Sequence, residues 1–552
     1  DGILKTVADR LRHLAGGDIP VMARALRGGM PLEHGWATSP HQPTILCSTV
    51  DQVGSRLLFR GYGISDRMKP VHAGLFGNDC LFLLDEVHLS EPFRQTLSGI
   101  ARLRSENWRE TGTADRPWQV VEMSATPGNR GGQEPFALAD DDRQDRTLKS
   151  RLEATKPVRL DTIKGTYKTA FPTAAAAEVG ELLKDDNTKA IGVVVNRVAT
   201  ARQIFEQLRL QLGEKADIKL MIGPARAVDR DMIAEDLDNI RTGHKPRPEK
   251  PLIVVATQCL EAGVDIDLDA LVTEAAPLDA LRQRFGRVNR AGRDIAAKGS
   301  ILITDEQLRK RYADPVYGDA VKACWDWLNK QYSENDDVLD FGINGMNARL
   351  QDMDPMALAP MLAERPDAPI LRPVDADTCF QTAPRPAVAT DLTLYLHGPQ
   401  RQPAGVQIIW RGDLERRHMG ESDKYRRQTL DILSLLPPRA TEAIEVPVPT
   451  ARRWLQSLGD RLPADTDASD VPLLIETDDA SERKSGGYRA FRWRGRDDEN
   501  SRSVWPNEIR PGDVIVVPAS ANYGGADDER AHVGAHDRGA RGVRAGRRAR
   551  RG

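Results

Sequence analysis

Two adjacent carboxylates end an apolar run in the stretch CLFLLDEVHLSEP (80–92). Asp85 and Glu86 follow the run directly, and His88 comes next but one. Acidic side chains at the end of a buried strand are costly unless they bind something. In nucleoside triphosphatases an aspartate at such a position holds Mg²⁺, usually through water, and a neighbouring glutamate orients the attacking water. The pattern also arises by chance, so its meaning depends on the partners that the rest of the chain supplies.

A set of cationic side chains is the strongest candidate partner. In LRQRFGRVNRAGR (281–293), Gln283, Arg284, Arg287 and Arg290 follow the spacing QRxGRxxR. Guanidinium groups three residues apart on a helix face point the same way. Such groups are suited to the charge that develops on a γ-phosphate during its transfer. The alternative is a solvated basic face, which the position of the stretch after ATQCLEAGVDID (256–267) argues against.

Small polar residues follow two further apolar runs. Ser124 and Thr126 end one of them, where their hydroxyls are expected to hydrogen-bond His88 and link a metal site to the cleft. In ATQCLEAGVDID, Gly263 permits a tight turn, Asp265 is a candidate acceptor for ribose hydroxyls, and Thr257 is a candidate contact for a nucleic-acid phosphate. Each of these signals is weak by itself.

The elements that must position these residues form two α/β blocks. CLFLL (80–84) predicts a strand buried on both faces, and WQVVEMSATP (118–127) predicts another, with helical spacing between them. Strand, helix, strand is the pattern of a parallel sheet. The second block has further strands, separated by helical stretches, at AIGVVVN (190–196), IKLMIG (218–223), PLIVVATQ (251–258), ALVTEAA (270–276) and GSILITD (299–305). In such sheets ligands bind beyond the carboxyl ends of the strands.

The domain boundaries follow from changes in composition. We expect a first lobe over 1–135, a polar linker over 136–165, a second lobe over 166–315, and a helical segment with a Pro- and Asp-rich linker over 316–390. Short strands such as TLYLHG, VQIIWR, AIEVPV, PLLIET and VIVVP predict a smaller, mainly β accessory domain over 391–525. The basic, low-complexity stretch 526–552 predicts a disordered tail.

Composition excludes several classes of protein. The 552 residues are 40% hydrophobic and 29% charged, with a formal net charge of −3, which is typical of a globular protein rather than a fibrous or disordered one. The five cysteines form no CxxC pair, which argues against a zinc module and fits a reducing cytoplasm. No apolar stretch approaches the roughly 18 residues of a membrane span, so we expect no membrane association.

DEVH, SAT, ATQCLEAGVDID and QRFGRVNRAGR, in this order and spacing, resemble motifs II, III, V and VI of superfamily 2 helicases. Further stretches, among them STVDQVGSRLLFRGYG (48–63) and RPGDVIVVPAS (510–520), resemble the helicase protein of type I CRISPR interference in its subtype U or G variant. The resemblance covers roughly residues 1 to 525. It implies an α/β fold with two tandem RecA-like parallel-sheet lobes and the accessory domain.

The resemblance also implies an activity. Such proteins are ATP-driven translocases on single-stranded DNA, moving 3′ to 5′, and they are recruited to the R-loop made by a crRNA-guided surveillance complex. The implied cofactors are ATP and Mg²⁺, and the implied partners are the displaced DNA strand and the surveillance complex. A fused or separate HD nuclease degrades that strand.

Site roles are carried over by motif. Asp85 would bind Mg²⁺, Glu86 would act on the hydrolytic water, and Arg287 and Arg290 would contact the γ-phosphate, with Gln283 and Arg284 in support. The nucleotide would also meet Gly263 and Asp265. Coupling to DNA is implied for the following residues: Thr49, His88, Ser124, Thr126 and Thr257.

Two parts of the family pattern are missing from these 552 residues. No GxxxxGK[ST] loop occurs, and no HD-type cluster of His and Asp with helical spacing occurs. We therefore expect a chain truncated before its phosphate loop, the alternative being a first lobe built without that loop. We also expect weak ATP binding, little hydrolysis and no nuclease activity. Two alternatives stay open: a nucleotide-inert DNA- or effector-binding module, and a general superfamily 2 helicase of repair or RNA metabolism.

Overall fold

A computed structural model describes residues 2–26, 35–62, 64–105, 116–124, 136, 138–244, 247–334, 338–382, 384, 386, 390–399, 405–460 and 487–521. The chain forms two compact units, Asp1–Arg401 and Gln402–Gly552. The first unit contains both predicted lobes, so the candidate site lies within it.

The first lobe pairs its described strands in parallel, β1 with β2 and β3 with β4. Its strands are β1 (Met22–Leu26), β2 (Thr44–Ser48), β3 (Cys80–Leu84) and β4 (Trp118–Glu122). Its helices are α1 (Gly2–Ala15), α2 (Val50–Leu57), α3 (Lys69–Gly77) and α4 (Glu91–Leu103). The helix α4 between β3 and β4 confirms the predicted strand–helix–strand unit.

Strand β3 is buried on one face only, which corrects the prediction of a strand covered on both. Phe82 and Leu84 are each 8% exposed and pack into the core of the lobe, whereas Leu81 is 57% and Leu83 61% exposed. A continuous apolar run indicates two apolar faces but does not say what covers them. Among the described residues, only the face that packs against helices such as α3 and α4 is covered.

The second lobe is built on a seven-stranded sheet with the order β11-β5-β10-β9-β6-β8-β7, parallel except for β11. Its strands are β5 (Pro157–Ile163), β6 (Ala190–Val194), β7 (Asp217–Met221), β8 (Leu252–Ala256), β9 (Ala270–Glu274), β10 (Lys298–Thr304) and β11 (Leu339–Asp340). The five apolar runs that predicted strands in this block all form strands. The α/β fold class is thus confirmed.

Helices cover both faces of this sheet, as the continuous apolar strands require. Along β6, Ile191 and Val193 pack into one hydrophobic cluster, and Ala190 and Val194 pack into another on the opposite face. The helices of the lobe and its flanks are α5 (Asp140–Gln144), α6 (Arg146–Glu153), α7 (Tyr167–Leu182), α8 (Val198–Leu212), α9 (Ala227–Leu237), α10 (Leu278–Phe285), α11 (Ala320–Ser333) and α12 (Ile343–Leu350).

The residues predicted as a linker over 136–165 contain regular structure. Helices α5 and α6 lie there, and β5 forms a strand of the seven-stranded sheet. Asp340 of β11 accepts hydrogen bonds from the backbone N–H groups of Lys156 and Gly342, each at 2.7 Å. These contacts join the start of β5 to the turn before α12.

The described residues between 350 and 399 return from the second lobe to the first. They form α13 (Pro355–Leu358), α14 (Pro373–Phe380) and α15 (Thr393–His397). The stretch TLYLHG, predicted as a strand, is the helix α15. It packs on α4, where Thr96 Oγ1 donates to the Tyr395 carbonyl at 2.6 Å.

The second unit contains a mixed five-stranded sheet with the order β13-β12-β16-β14-β15. Its strands are β12 (Gly405–Arg411), β13 (Ile444–Pro447), β14 (Ala490–Trp493), β15 (Arg502–Val504) and β16 (Val514–Pro518), and its helices are α16 (Asp423–Leu435) and α17 (Val448–Asp460). VQIIWR, AIEVPV and VIVVP thus contribute strands as predicted. PLLIET and the basic tail lie outside the described residues.

Candidate functional site at the cleft between the two lobes

A cavity of about 450 Å³ lies between the two lobes of the first unit. The first lobe contributes Glu86 and His88 to its wall, and the second lobe contributes Gln283, Arg287 and Arg290. The acidic stretch and the arginine stretch, far apart in the sequence, therefore face one space. The sequence predicts that these two stretches lie close together.

Glu86 reaches this cavity from an unusual backbone conformation. Its φ is +48° and its ψ +51°, in the left-handed region that non-glycine residues seldom adopt. The side chain is 29% exposed, and its Oε2 lies 3.5 Å from His88 Nδ1. Asp85 differs: its side chain is exposed, Oδ1 accepts the Glu86 backbone N–H at 3.0 Å, and it is not among the residues that line the cavity.

His88 connects the lobes directly, since its Nε2 contacts the Gln283 side-chain amide nitrogen of the second lobe. The ring is buried, and burial lowers its pKa, while Glu86 pulls that pKa in the opposite direction. The sequence predicts a hydrogen bond between His88 and the hydroxyl of Ser124 or Thr126. In the part of the chain that the structure describes, the hydrogen-bond partner of the ring is Gln283.

The arginines of the second lobe do not share one helix face, contrary to the prediction. Helix α10 ends at Phe285, and Arg287 and Arg290 lie in the turns beyond it. Arg287 donates to the carbonyls of Leu260 and Glu261, so its orientation is fixed by the backbone of the neighbouring loop. Burial lowers the pKa of Arg287, as does Arg290 nearby, whereas Glu86 opposes the shift.

Arg290 stands beside Asp265 at the rim. Its guanidinium Nη1 is 3.8 Å from Asp265 Oδ1, and its backbone N–H donates to Asp267 Oδ1 at 2.8 Å. The Thr242 hydroxyl and the guanidinium of Arg241, both nearby, hold the pKa of Asp265 below its usual range. Neither Asp265 nor Gly263, which has a φ of +74°, is among the lining residues of the cavity.

Arg284 has a place that the spacing did not indicate. It is fully buried and does not line the cavity. Its guanidinium donates to Glu261 Oε1 at 2.8 Å, Thr273 Oγ1 at 2.9 Å, the Glu274 carbonyl at 3.1 Å and Asn196 Oδ1 at 2.9 Å. It thus ties α10 to the ends of β6 and β9 and to the loop after β8.

The predicted DNA-contacting threonines differ in exposure. Thr49 is exposed and precedes α2, where its backbone N–H donates to Leu26 O. Thr257 is 3% exposed and lies next to Cys259 Sγ at 3.7 Å, so it is not on the surface in this conformation. Ser124 is half-buried at the end of the first-lobe strands. Thr126 lies outside the described residues.

Three cations of the cavity wall were not identified from the sequence: Arg151, Lys156 and Arg282. Lys156 is buried and donates from Nζ to the Phe285 carbonyl at 2.9 Å, at the end of α10. Burial lowers its pKa to about 8. A lysine in the stretch TKPV, which carries no motif, gave no signal of this position. Arg282 lies inside the recognised arginine stretch, but the spacing did not single it out.

Within the described residues, no group of three or more His, Cys, Asp and Glu side chains is arranged to hold a metal ion. A lone carboxylate such as Asp85 nevertheless fits Mg²⁺, which commonly binds one or two carboxylates and completes its shell with water and substrate phosphates. Of the helices in the described part of the chain, none combines the length and the apolar character that a membrane span requires.

Residues 187–293, which form most of the second lobe, match the family model described as CRISPR-associated nuclease/helicase Cas3, C-terminal. This part of the second lobe is similar to the C-terminal part of Cas3 proteins. The match confirms the resemblance to the helicases of type I CRISPR systems and covers the loop after β8 and the arginine stretch.

Curated Cas3 proteins align with parts of this chain. The CRISPR-associated nuclease/helicase Cas3 of Methanothermobacter thermautotrophicus is 28% identical over 30% of this chain and 19% of its own length. The CRISPR-associated helicase Cas3 of Thermoproteus tenax is 38% identical over 18% of this chain and 16% of its own length. The chain thus aligns with less than a fifth of either Cas3 protein.

Solved Cas3 structures are similar at a low level. The crystal structure of T. fusca Cas3-AMPPNP gives a TM-score of 0.49 at 15% identity, covering 90% of this chain and 58% of that chain. A similarity of this size is too low to support a conclusion by itself.

Proposed function

We propose that this chain is the motor portion of an ATP-dependent translocase on single-stranded DNA that acts in CRISPR interference. The observation that carries the proposal is the single cavity that joins Glu86 of the first lobe to Arg287 and Arg290 of the second. A site shared by two lobes suits a motor, because nucleotide binding and release there change the relation of the lobes. The Cas3-type second lobe supports the choice of this reaction class.

In this proposal the cavity residues have different roles in phosphoanhydride hydrolysis. Glu86 orients and polarises the attacking water, and Arg287 and Arg290 stabilise the charge that develops on the γ-phosphate. Gln283, held against His88, keeps α10 at the first-lobe wall. Arg284 does not contact the ligand, and it instead holds α10 and the loop of Glu261 in place from the core of the lobe.

Asp85 is the residue that would hold Mg²⁺. Its exposed carboxylate keeps one oxygen outside the Glu86 N–H hydrogen bond, which leaves room for a hydrated ion that arrives with the nucleotide. When bound, such an ion neutralises charge on the β- and γ-phosphates. Asp265 would accept hydrogen bonds from the ribose, and Gly263 would allow the turn that presents it.

The DNA contacts in this proposal are contacts with the backbone. Thr49 is placed to meet a phosphate at the start of α2, and Ser124, Thr126 and His88 would transmit changes at the nucleotide to the strand. Thr257, buried in this conformation, would take part only after the loop that follows β8 moves. Phosphate contacts carry little sequence preference, which suits a motor that must pass over any base. The crRNA-guided surveillance complex is the proposed partner that delivers the displaced strand.

The 552 residues contain no GxxxxGK[ST] loop, whose backbone N–H groups and lysine hold the phosphates in such motors. We therefore propose that the chain by itself binds ATP weakly and hydrolyses it slowly.

The test is an ATPase assay, with and without single-stranded DNA, on this chain and on a version extended by the gene sequence upstream of Asp1. We expect DNA-stimulated turnover in the extended version, which Glu86→Gln abolishes while nucleotide binding persists. Asp79→Asn is the matched control, because it makes the same change from acid to amide at another left-handed residue of the first lobe. It should leave the rate unchanged.

Two results would change the proposal. ATP hydrolysis that continues in the Glu86→Gln variant would show that Glu86 does not orient the attacking water. No turnover in either version, with DNA binding intact, would favour a nucleotide-inert binding module.

A further inference from the structure

A second connection between the lobes passes the rim of the cavity. Met361 is buried in the core of the second lobe, and Leu371 is buried in the core of the first. The chain between them, residues 362–370, therefore crosses from one lobe to the other. We refer to these residues as the crossing segment.

On the first lobe the crossing segment is fixed to α4. Gln95 donates from Nε2 to Asp367 Oδ1 at 2.6 Å and accepts the Ala368 backbone N–H at 2.7 Å. Next to it, Arg102 donates to the Leu371 carbonyl at 2.9 Å. Gly99 allows this close approach, since a Cβ there would lie 3.1 Å from Leu371 Cβ.

On the second lobe one carboxylate holds the segment. Asp279, in the first turn of α10, accepts the Ala363 backbone N–H at 3.1 Å through Oδ1 and the Arg365 guanidinium at 3.2 Å through Oδ2. Both side chains are largely withdrawn from solvent, with 8% of Asp279 and 22% of Arg365 exposed. Asp279 also lines the cavity, one turn before Gln283.

The spacing of these anchors sets how far the lobes can part along this path. From Met361 to Asp367 the backbone reaches at most roughly 20 Å when extended, whereas from Arg365 to Asp367 it reaches roughly 7 Å. Asp279, through its contacts with Ala363 and Arg365, therefore shortens the free tether by about two thirds. Because α10 carries Gln283 and leads into Arg287, this restraint acts on the second-lobe wall of the cavity.

We propose that Asp279 and Arg365 form a clasp that holds the second-lobe wall of the cavity against the first lobe. Both are positioning residues: they act through α10 and not on the ligand. The clasp depends on the proposed function in one respect only, which is the identity of the ligand that binds in the cleft. The competing explanation is that Asp279 merely favours the helix N-terminus, as acidic residues in a first turn do.

Distances between labels on the two lobes distinguish these explanations. Cys47 is an exposed cysteine of the first lobe, and Leu210→Cys supplies a site on α8 that is 86% exposed. Pulsed spin-label spectroscopy on the nucleotide-free chain then reports the lobe separation. Replacement of Cys80 and Cys259 by alanine keeps the labelling specific.

We expect Arg365→Gln and Asp279→Asn each to lengthen and broaden the distance distribution, by up to roughly 10 Å. The double variant should show no further change, because both substitutions break the same pair, and Arg365→Lys should restore much of the short distance. Arg372→Gln is the matched control, since it removes an exposed pair with Asp375 that lies on the first lobe alone.

Three results would overturn the clasp: a distribution unchanged by Arg365→Gln, additive effects in the double variant, or an equal change in Arg372→Gln. Circular dichroism and thermal melting of each variant exclude misfolding as the cause, and Arg365→Gln leaves the first turn of α10 intact. The distances need no nucleotide. Absence of ATP turnover in the version extended upstream of Asp1 therefore refutes the proposed function alone, and unchanged distances refute the clasp alone.

Discussion

Arg284 offers the sharpest test of how the arginine stretch is organised. Although it belongs to the same motif as Arg287, it is fully buried and makes an ion pair with Glu261, which is itself 6% exposed. We predict that Arg284→Met damages the stability of the second lobe, and that Arg287→Met damages chiefly the chemistry of the cavity.

The magnitude follows from the partners that each change leaves behind. Removing one member of a buried ion pair costs about 3–5 kcal/mol, because the other charge stays buried without a partner. Arg287→Met breaks only hydrogen bonds to the carbonyls of Leu260 and Glu261, and we expect it to lower the unfolding free energy by roughly 1–2 kcal/mol. Arg284→Met should lower it by roughly 3–5 kcal/mol.

The loss in Arg284→Met should also depend on pH. Burial already raises the pKa of Glu261, and Arg284 opposes this shift. Without the guanidinium the folded state holds the Glu261 proton more tightly than the unfolded chain does. The unfolding free energy of the variant therefore falls as pH rises from the carboxyl's unfolded pKa through its raised folded value. The difference from wild type should be smallest near pH 5 and largest near pH 8.

Urea denaturation followed by circular dichroism and tryptophan fluorescence measures these differences, with the transition of the second lobe fitted separately. The double variant Glu261→Gln/Arg284→Met removes both charges of this pair, so it should lose less stability than Arg284→Met alone. A loss of stability in Arg284→Met no larger than that in Arg287→Met would contradict the buried ion pair. So would a double variant that is less stable than Arg284→Met at pH 8.

Two further predictions concern the surroundings of the arginine stretch. Burial lowers the pKa of Lys156 from 10.5 in the unfolded chain to about 8 in the folded protein. The charged lysine therefore lowers the unfolding free energy at neutral pH, and this loss of stability disappears as pH rises from about 8 to 10.5. The unfolding free energy of wild type minus that of Lys156→Met should therefore increase by roughly 2–3 kcal/mol between pH 7 and pH 10 in urea titrations; a constant difference would contradict this. Gly292 has a φ of +67°, and a Cβ there would lie 2.4 Å from the Ser150 carbonyl carbon and oxygen, whereas Gly263, at +74°, faces open space. Thermal melting should therefore show a larger loss for Gly292→Ala than for Gly263→Ala, which bears only the backbone strain of about 1–3 kcal/mol; equal losses would refute the packing argument.

The sequence predicted the strands of the second lobe well, because those strands are buried on both faces and consist of continuous apolar runs. It missed β5, whose residues PVRLDTI include charged side chains. Arg159 of β5 pairs with Asp161 and with Glu178 of α7, each at 2.7 Å, so these polar residues are satisfied at the surface of the sheet. Such pairing across elements leaves no trace in a local pattern.

Tertiary contacts also overrode local patterns elsewhere. The alternation in TLYLHG indicates a strand, but packing against α4 makes it the helix α15. The spacing QRxGRxxR located the right stretch for the cavity wall but did not separate its members. Helix α10 ends at Phe285, so Arg284 turns into the core while Arg287 lies beyond the helix and reaches the cavity. The positions of the arginines depend on where the helix ends, and the spacing of the residues does not indicate that point.

The polarity of the cavity gives the strongest physical support for hydrolysis. Within the described residues, three buried atoms on its lobe-to-lobe contact have no hydrogen-bond partner: Glu86 Oε2, His88 Nδ1 and Gln283 Oε1. Two of these atoms only accept hydrogen bonds while Glu86 is ionised, so they call for a donor such as water. Arg287 and Arg290, in contrast, present donors suited to an anion. Glu86 also bears the strain of a left-handed backbone. In the proposed reaction, the attacking water would meet the acceptor oxygens of Glu86 and Gln283, and the phosphate would meet the guanidinium groups of Arg287 and Arg290.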